Sequence, residues 1–231
     1  MTPGLNYILN KQEIITTVSS DDLLTRPDDI ESTYQRHART HIPLGDTSGM
    51  DGKFLTRVRE KKGPIGAVVA PYGYGKTSTI GFLWYRAEED GYVATPPFEM
   101  TALRDVLKAV YGWAKYRLTQ RSADLALRLD EIYNAYTEQT LQESARQYAQ
   151  QHGISQIAAF KMLQDMEKKG ELTRDVTPSR LLRFLYEVTE VVLQADFKGL
   201  VILPDELQQY ISRSKTHRTI IEELRQFVWG F

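Results

Sequence analysis

The chain has 231 residues, 42% of them hydrophobic and 26% charged, an ordinary globular composition that can bury one sizeable core or two small ones. Its 29 Lys and Arg stand against 30 Asp and Glu, so no overall charge draws it to nucleic acid or to a membrane surface. With no cysteine there is no disulfide framework, thiolate metal site or thiol nucleophile. No run approaches the roughly 18 apolar residues of a membrane span, and the N-terminus MTPGLNYILNKQEIITTV lacks the basic start and apolar core of a targeting signal, so the expected setting is the cytoplasm.

Residues 1–52 mix turn-rich pieces such as TRPDDI and IPLGDTSGMDG with short helical stretches, and read as an irregular arm. KFLTRVREKKG has the look of a helix ending at Gly63. Between Pro64 and Pro71 the apolar run Ile65–Val69 suits a buried strand. A helix is expected from about Gly75, its apolar face set by Ile80, Leu83, Trp84 and Ala87, and its end before Gly91. YVAT reads as a second strand and PPFEM as a loop; from Thr101 to about Asp175 the pattern is almost wholly helical. TPSRLLRFLYEVTEVVLQADF predicts another helix, with Thr177 as N-cap and Pro178 at its first position. GLVIL is a further apolar strand, and Ile220, Ile221, Leu224 and Phe227 give HRTIIEELRQFVWGF helical spacing. There is no internal repeat.

Strand, glycine-rich loop and helix is the context in which APYGYGKTS, Ala70 to Ser78, acquires a chemical meaning. A phosphate-binding loop aims backbone N–H groups at phosphate oxygens, adds the positive end of a helix dipole, and supplies one lysine. Ala70, Pro71, Tyr72, Gly73, Tyr74 and Gly75 would form the loop, Lys76 would reach the terminal phosphates, and the Thr77 hydroxyl would ligate magnesium. Ala70 stands where the usual pattern has glycine, and alanine is small enough to let the chain leave the strand. The competing reading is an exposed Tyr-Gly turn that precedes a lysine. Further on, KGLVILPDELQQYI ends an apolar strand in Asp205 and Glu206, one carboxylate to hold magnesium and the next to orient an attacking water. Pro204 fits only at the strand's end, since proline cannot donate to a sheet ladder. An acidic pair at a helix N-terminus is the plainer reading of those two residues.

APYGYGKTST together with LVILPDELQQYI resembles the P-loop ATPases of the AAA+ and origin-recognition type, and most closely the large bacterial anti-phage defence ATPases of BREX-type systems. The resemblance implies an α/β P-loop NTPase fold, ASCE/AAA+-like, with a parallel sheet. It implies ATP and Mg2+ as ligands, Lys76 and Glu206 as catalytic residues, Thr77 and Asp205 as magnesium ligands, and assembly into a homo-oligomer or larger complex. Lys76 and Asp205 are 129 positions apart, so a large helical insertion is expected. The division is then a 1–52 arm, a 53–118 phosphate-loop part, a 119–176 insertion and a 177–231 Walker B part. In such ATPases a sensor strand follows Walker B; here a helix pattern does, which implies a fragment truncated after Walker B, binding nucleotide weakly and hydrolysing it slowly, with Glu206→Gln changing little.

Within the insertion, YAQQHGISQIAAFKMLQDMEKKGEL resembles a helix-turn-helix, with Ala149, Gly153, Ile154, Ala159 and Met162 at structural positions and Gln156 and Lys161 on the second helix. DNA contact over residues 146–170 is one reading and a plain helical hairpin the other, since EKKGEL is short of cations for gripping phosphates. A DNA-binding or scaffold module with a non-catalytic nucleotide site is thus the rival function. Tyr111, Trp113 and Tyr116 could stack bases but suit a core stripe better. His37 and His41, with Asp46 and Asp51, make a weak metal candidate, and Asp28, Asp29 and Glu31 read as helix N-terminal charge.

Overall fold

In the computed structural model the chain is described over residues 16–40, 53, 56, 57, 60, 68, 75–168 and 176–207. Among the described residues the main elements are seven helices: α1 (Asp22–Thr25), α2 (Pro27–Thr40), α3 (Lys76–Glu89), α4 (Leu103–Thr119), α5 (Ala123–His152), α6 (Gln156–Lys168) and α7 (Pro178–Gln194). Between them lie β1 (Val93–Ala94), β2 (Phe98–Glu99), β3 (Leu200–Val201) and β4 (Pro204–Asp205). Val68 is the single described residue of the expected Ile65–Val69 strand; most of the 53–63 helix and the whole of the helix over 217–231 lie outside the described residues, as do His41, Asp46 and Asp51.

The expected α/β parallel sheet of an ASCE/AAA+-like P-loop NTPase is corrected by these elements. The described residues are mostly helical and form only two short two-stranded parallel sheets, β1 with β3 and β2 with β4. Val93 and Ala94 pair with Leu200 and Val201, and Phe98 and Glu99 with Pro204 and Asp205. The pairing breaks where three residues, 95–97, stand opposite two, 202 and 203, and Pro96 and Pro97 there carry no N–H to donate to a ladder. The Thr95 side chain fills in, its Oγ1 accepting from Leu203 N at 2.9 Å where a main-chain acceptor would stand in an unbroken pair. PPFEM, expected as a loop, thereby contributes β2. Val18 adds a parallel bridge to Phe98 on the side away from β4, with Val18 N donating to Pro97 O at 3.2 Å and Glu99 N to Val18 O at 2.8 Å.

The core is built by helical periodicity. α7 buries Leu181, Phe184, Leu185, Val188, Val191 and Val192, one stripe at three- and four-residue spacing. α3 buries Ile80, Leu83, Trp84 and Ala87 as their spacing predicts, and α4 lies between α1, α5 and α7 with Trp113, Ala114 and Leu118 inside. Pro178 opens α7 as expected, whereas Thr177 makes no side-chain cap bond. α4 is fastened at its start by Asp105, whose Oδ2 accepts from Thr101 N and Oγ1 at 2.8 Å each and from Ala102 N at 2.9 Å. Gly112 is required where α1 crosses α4: a Cβ there would lie 2.9 Å from Leu23 O and from a Leu24 methyl. A second, smaller cluster of Leu141, Ala145, Ala149, Ala159 and Leu163 joins the far half of α5 to α6 across Gly153, whose φ of +65° ends α5. Met162, expected inside that hairpin, is 46% exposed and Leu163 takes its place.

A buried polar network ties α2, α3, α4 and β1 together. Glu88 Oε1 accepts from Trp113 Nε1 at 3.0 Å and from Ala94 N at 2.9 Å, and Arg117 pairs with Glu88 and with Glu31, each at 3.0 Å. Tyr116 OH donates to Glu31 and to Asp28, and Tyr111 OH to Asp130 at 2.8 Å, so the aromatic stripe on α4 is used in packing. Burial lifts the Glu88 pKa above the ordinary value of 4.5, against the opposing pull of Arg117 and the two donors. A raised folded-state pKa means that the folded chain holds this proton more tightly than the unfolded chain does. Its contribution is full below about pH 4.5 and declines as pH rises toward and through the folded value. Wild-type stability relative to Glu88→Gln is therefore expected to fall as pH rises from about 4.5 toward neutrality. Urea titrations of both proteins across that window check it, and a difference that rises with pH contradicts burial as the leading influence.

Candidate phosphate and cation site

Gly75 sits at the N-cap of α3 with φ +76° and ψ 27°, a left-handed conformation that favours glycine. Among the described residues a Cβ there would meet only Ser78 Cβ, at 3.9 Å, and it is the backbone conformation that favours glycine. α3 starts at once: Thr79 N and Oγ1 donate to Gly75 O at 2.9 and 3.1 Å and close the first turn. Lys76, Thr77 and Ser78 occupy that turn, all half-buried, at the end of the helix where backbone donors and the positive end of the dipole are concentrated.

Facing this turn is Asp205, the last residue of β4, 7% exposed. Its Oδ2 accepts from Thr77 Oγ1 at 2.7 Å, a contact across 128 positions of sequence. The same oxygen accepts from Thr17 Oγ1 at 2.9 Å, and Oδ1 accepts from Glu206 N at 2.9 Å. Three donors thus fix the carboxylate's orientation. Glu206 follows in a left-handed conformation, φ +56°, which turns the chain sharply off the strand directly after the aspartate. For a residue with a Cβ that region costs on the order of 1 kcal/mol relative to glycine.

A hydroxyl has one proton and two lone pairs. With its proton committed to Asp205, Thr77 Oγ1 keeps its lone pairs for a cation, and Asp205 supplies negative charge beside it. Hard oxygen donors of this kind suit Mg2+, which commonly takes one or two protein oxygens and completes its shell with water and phosphate. No group of three or more His, Cys, Asp or Glu side chains is placed to hold a metal among the described residues, so an all-protein metal cage is not present there.

Of the residues singled out in the sequence, Thr77 and Asp205 are brought into contact, with Gly75, Lys76, Ser78 and Glu206 beside them in the chain. Ala70, Pro71, Tyr72, Gly73 and Tyr74 lie outside the described residues. Two contacts were not legible in the sequence. His37, in the last turns of α2 and 2% exposed, has its Nε2 2.7 Å from Ser78 Oγ. Thr17 reaches Asp205 from 188 positions away. Only the packing of α2 on α3 and the bridge at Val18 create these contacts, and no local motif signals them. Tyr34 stands nearby, its OH donating to Thr16 O at 2.9 Å; burial, with the Asp205 charge second, raises its pKa.

The α5–α6 hairpin has a helix-turn-helix outline, but on α6 the exposed cation Lys161 is followed one turn later by exposed Asp165, and Ile157 and Met162 of the same helix are exposed apolar residues. Among the described residues of α6, that face has little of the positive charge that gripping DNA phosphates requires. No described helix is long and apolar enough to cross a membrane. Comparison with known proteins gives no match: neither a protein-family model, nor a curated protein, nor a solved structure aligns significantly with the chain.

Proposed function

We propose that the chain binds ATP with Mg2+ at the start of α3 and is the nucleotide-binding and hydrolysing part of a larger cytoplasmic ATPase assembly, of the kind the sequence resembles in bacterial phage defence. The observation that carries this reading is the 2.7 Å bond from Thr77 Oγ1 to Asp205 Oδ2. It joins the ends of two sequence motifs, each of which has a plain structural alternative when taken alone. The reading needs only this local geometry and no extended sheet.

In this account the amides of the first turn of α3 and the Lys76 ammonium hold the phosphates, since both point charge and dipole favour an anion there. Thr77 and Asp205 would hold the ion. When bound, Mg2+ would neutralise charge on the phosphate oxygens. Glu206 orients water for attack on the terminal phosphorus and takes its proton as the bond to the ADP oxygen breaks. The sharp turn at Glu206 separates its task from that of its neighbour: Asp205 is fixed by donors on both oxygens, and Glu206 is carried off the strand.

Thr77→Val keeps the shape of the side chain and removes the hydroxyl. The expected result is a loss of about tenfold in ATP affinity measured with Mg2+ and little change without it, the size of one hydrogen bond to a charged group. Isothermal titration of both proteins in each condition checks this. Equal affinities of wild type and variant with Mg2+ would remove Thr77 from the site.

A further inference from the structure

We infer that Thr17 is a positioning residue of the nucleotide site, and that docking of the segment Thr16–Ser20 is coupled to occupancy of that site by ATP and Mg2+; this rests on the function proposed above. Four hydrogen bonds hold the Thr16–Val18 part of the segment. Tyr34 OH donates to Thr16 O at 2.9 Å; Val18 N donates to Pro97 O at 3.2 Å; Glu99 N donates to Val18 O at 2.8 Å; and Thr17 Oγ1 donates to Asp205 Oδ2 at 2.9 Å. The first three fix the backbone on either side of Thr17 against α2 and β2. The last spends that order on the carboxylate which also receives Thr77.

The consequence follows from the geometry of Asp205. Its Oδ1 is engaged by its neighbour's N–H and its Oδ2 by two hydroxyls, one from α3 and one from the N-terminal segment. Without Thr17, Oδ2 keeps only Thr77 among these partners, and the carboxylate can turn about its terminal torsion, which is broad for aspartate. An ion held between Thr77 and Asp205 then meets a less ordered ligand. Phosphate contacts made by Lys76 and the α3 amides do not involve Thr17. The defect is therefore confined to the Mg2+-dependent part of nucleotide affinity. By linkage the coupling runs both ways: if the docked segment favours the ion, the bound ion favours the docked segment.

The test compares wild type, Thr17→Val and Thr17→Ser by isothermal titration with ATP, with and without Mg2+, alongside amide hydrogen exchange at Val18 and Glu99. Thr17→Val is expected to lose about tenfold in affinity with Mg2+ and to match wild type without it, and Thr17→Ser to restore the loss. In the wild-type protein, exchange at Val18 and Glu99 is expected to slow on adding ATP with Mg2+ and to change little with ATP alone; this readout stands even if the valine variant folds poorly. Wild type whose ATP affinity depends on Mg2+, combined with an unaffected Thr17→Val or with unchanged exchange at both amides, would overturn the role of Thr17 alone. ATP affinity in wild type that is indifferent to Mg2+ would overturn the site and the coupling together.

Discussion

Alanine in place of Trp113 is expected to lower the unfolding free energy by about 3–5 kcal/mol, the usual cost of deleting a buried tryptophan side chain. The ring is fully buried at the middle of α4 and meets Trp84 of α3 edge to face, with centroids 5.9 Å apart and planes at 72°. Tyr34 of α2 meets Trp84 in the same manner, at 5.7 Å and 75°, so the aromatic chain joins three helices. Removing Trp113 opens a cavity where those helices meet and also takes one donor from buried Glu88. Phenylalanine at the same position fills most of the space but leaves that acceptor short of a partner, so its cost should fall between those of wild type and alanine. Urea unfolding of the three proteins gives the ranking. A cost for Trp113→Ala below about 1 kcal/mol would mean that α3 and α4 do not depend on this contact.

Lys76→Ala is expected to weaken ATP binding about tenfold or more while leaving the unfolding transition nearly unchanged. The two halves of that statement have separate grounds. Lys76 is the first residue of α3, half-buried and not part of the hydrophobic core, and alanine is an excellent helix former, so helix propensity does not suffer by the change. Toward an anion, however, the ammonium supplies a full charge where the amides supply partial ones. Calorimetric titration paired with thermal melts separates the two effects. Loss of binding accompanied by loss of fold would make Lys76 structural, and full retention of ATP affinity would remove it from the phosphate site.

Helices were legible where their apolar residues repeat at three and four positions. Ile80, Leu83, Trp84 and Ala87 in α3 and the Leu181 to Val192 stripe in α7 are buried as that spacing requires, and Pro178 marks the start of α7. The sheet was over-read. The apolar run GLVIL reads as one strand, yet regular pairing breaks after Val201, where the facing segment carries Pro96 and Pro97 with no N–H to donate, and resumes only at Pro204. The same prolines hid β2 inside a stretch that looks like a loop. On α6 the sequence reading places Met162 inside, and the packing of α6 on α5 buries Leu163 instead.

At the candidate site the local half was legible and the long-range half was not. Gly75, Lys76 and Thr77 announce themselves by sequence because a turn into a helix needs glycine and the chemistry needs the next two. Asp205 is signalled by its place at the end of an apolar run. His37 and Thr17 have no such signature. Nothing in the residues around them distinguishes a histidine that meets Ser78 or a threonine that meets Asp205 from any other polar residue of an N-terminal segment.

The measurement that bears most directly on the central claim is the affinity of the wild-type chain for ATP with and without Mg2+. The pairing of Thr77 with Asp205 predicts saturable binding of one ATP per chain that strengthens by about tenfold or more when Mg2+ is added. Binding that ignores Mg2+, or no binding of ATP by the folded chain, would contradict it.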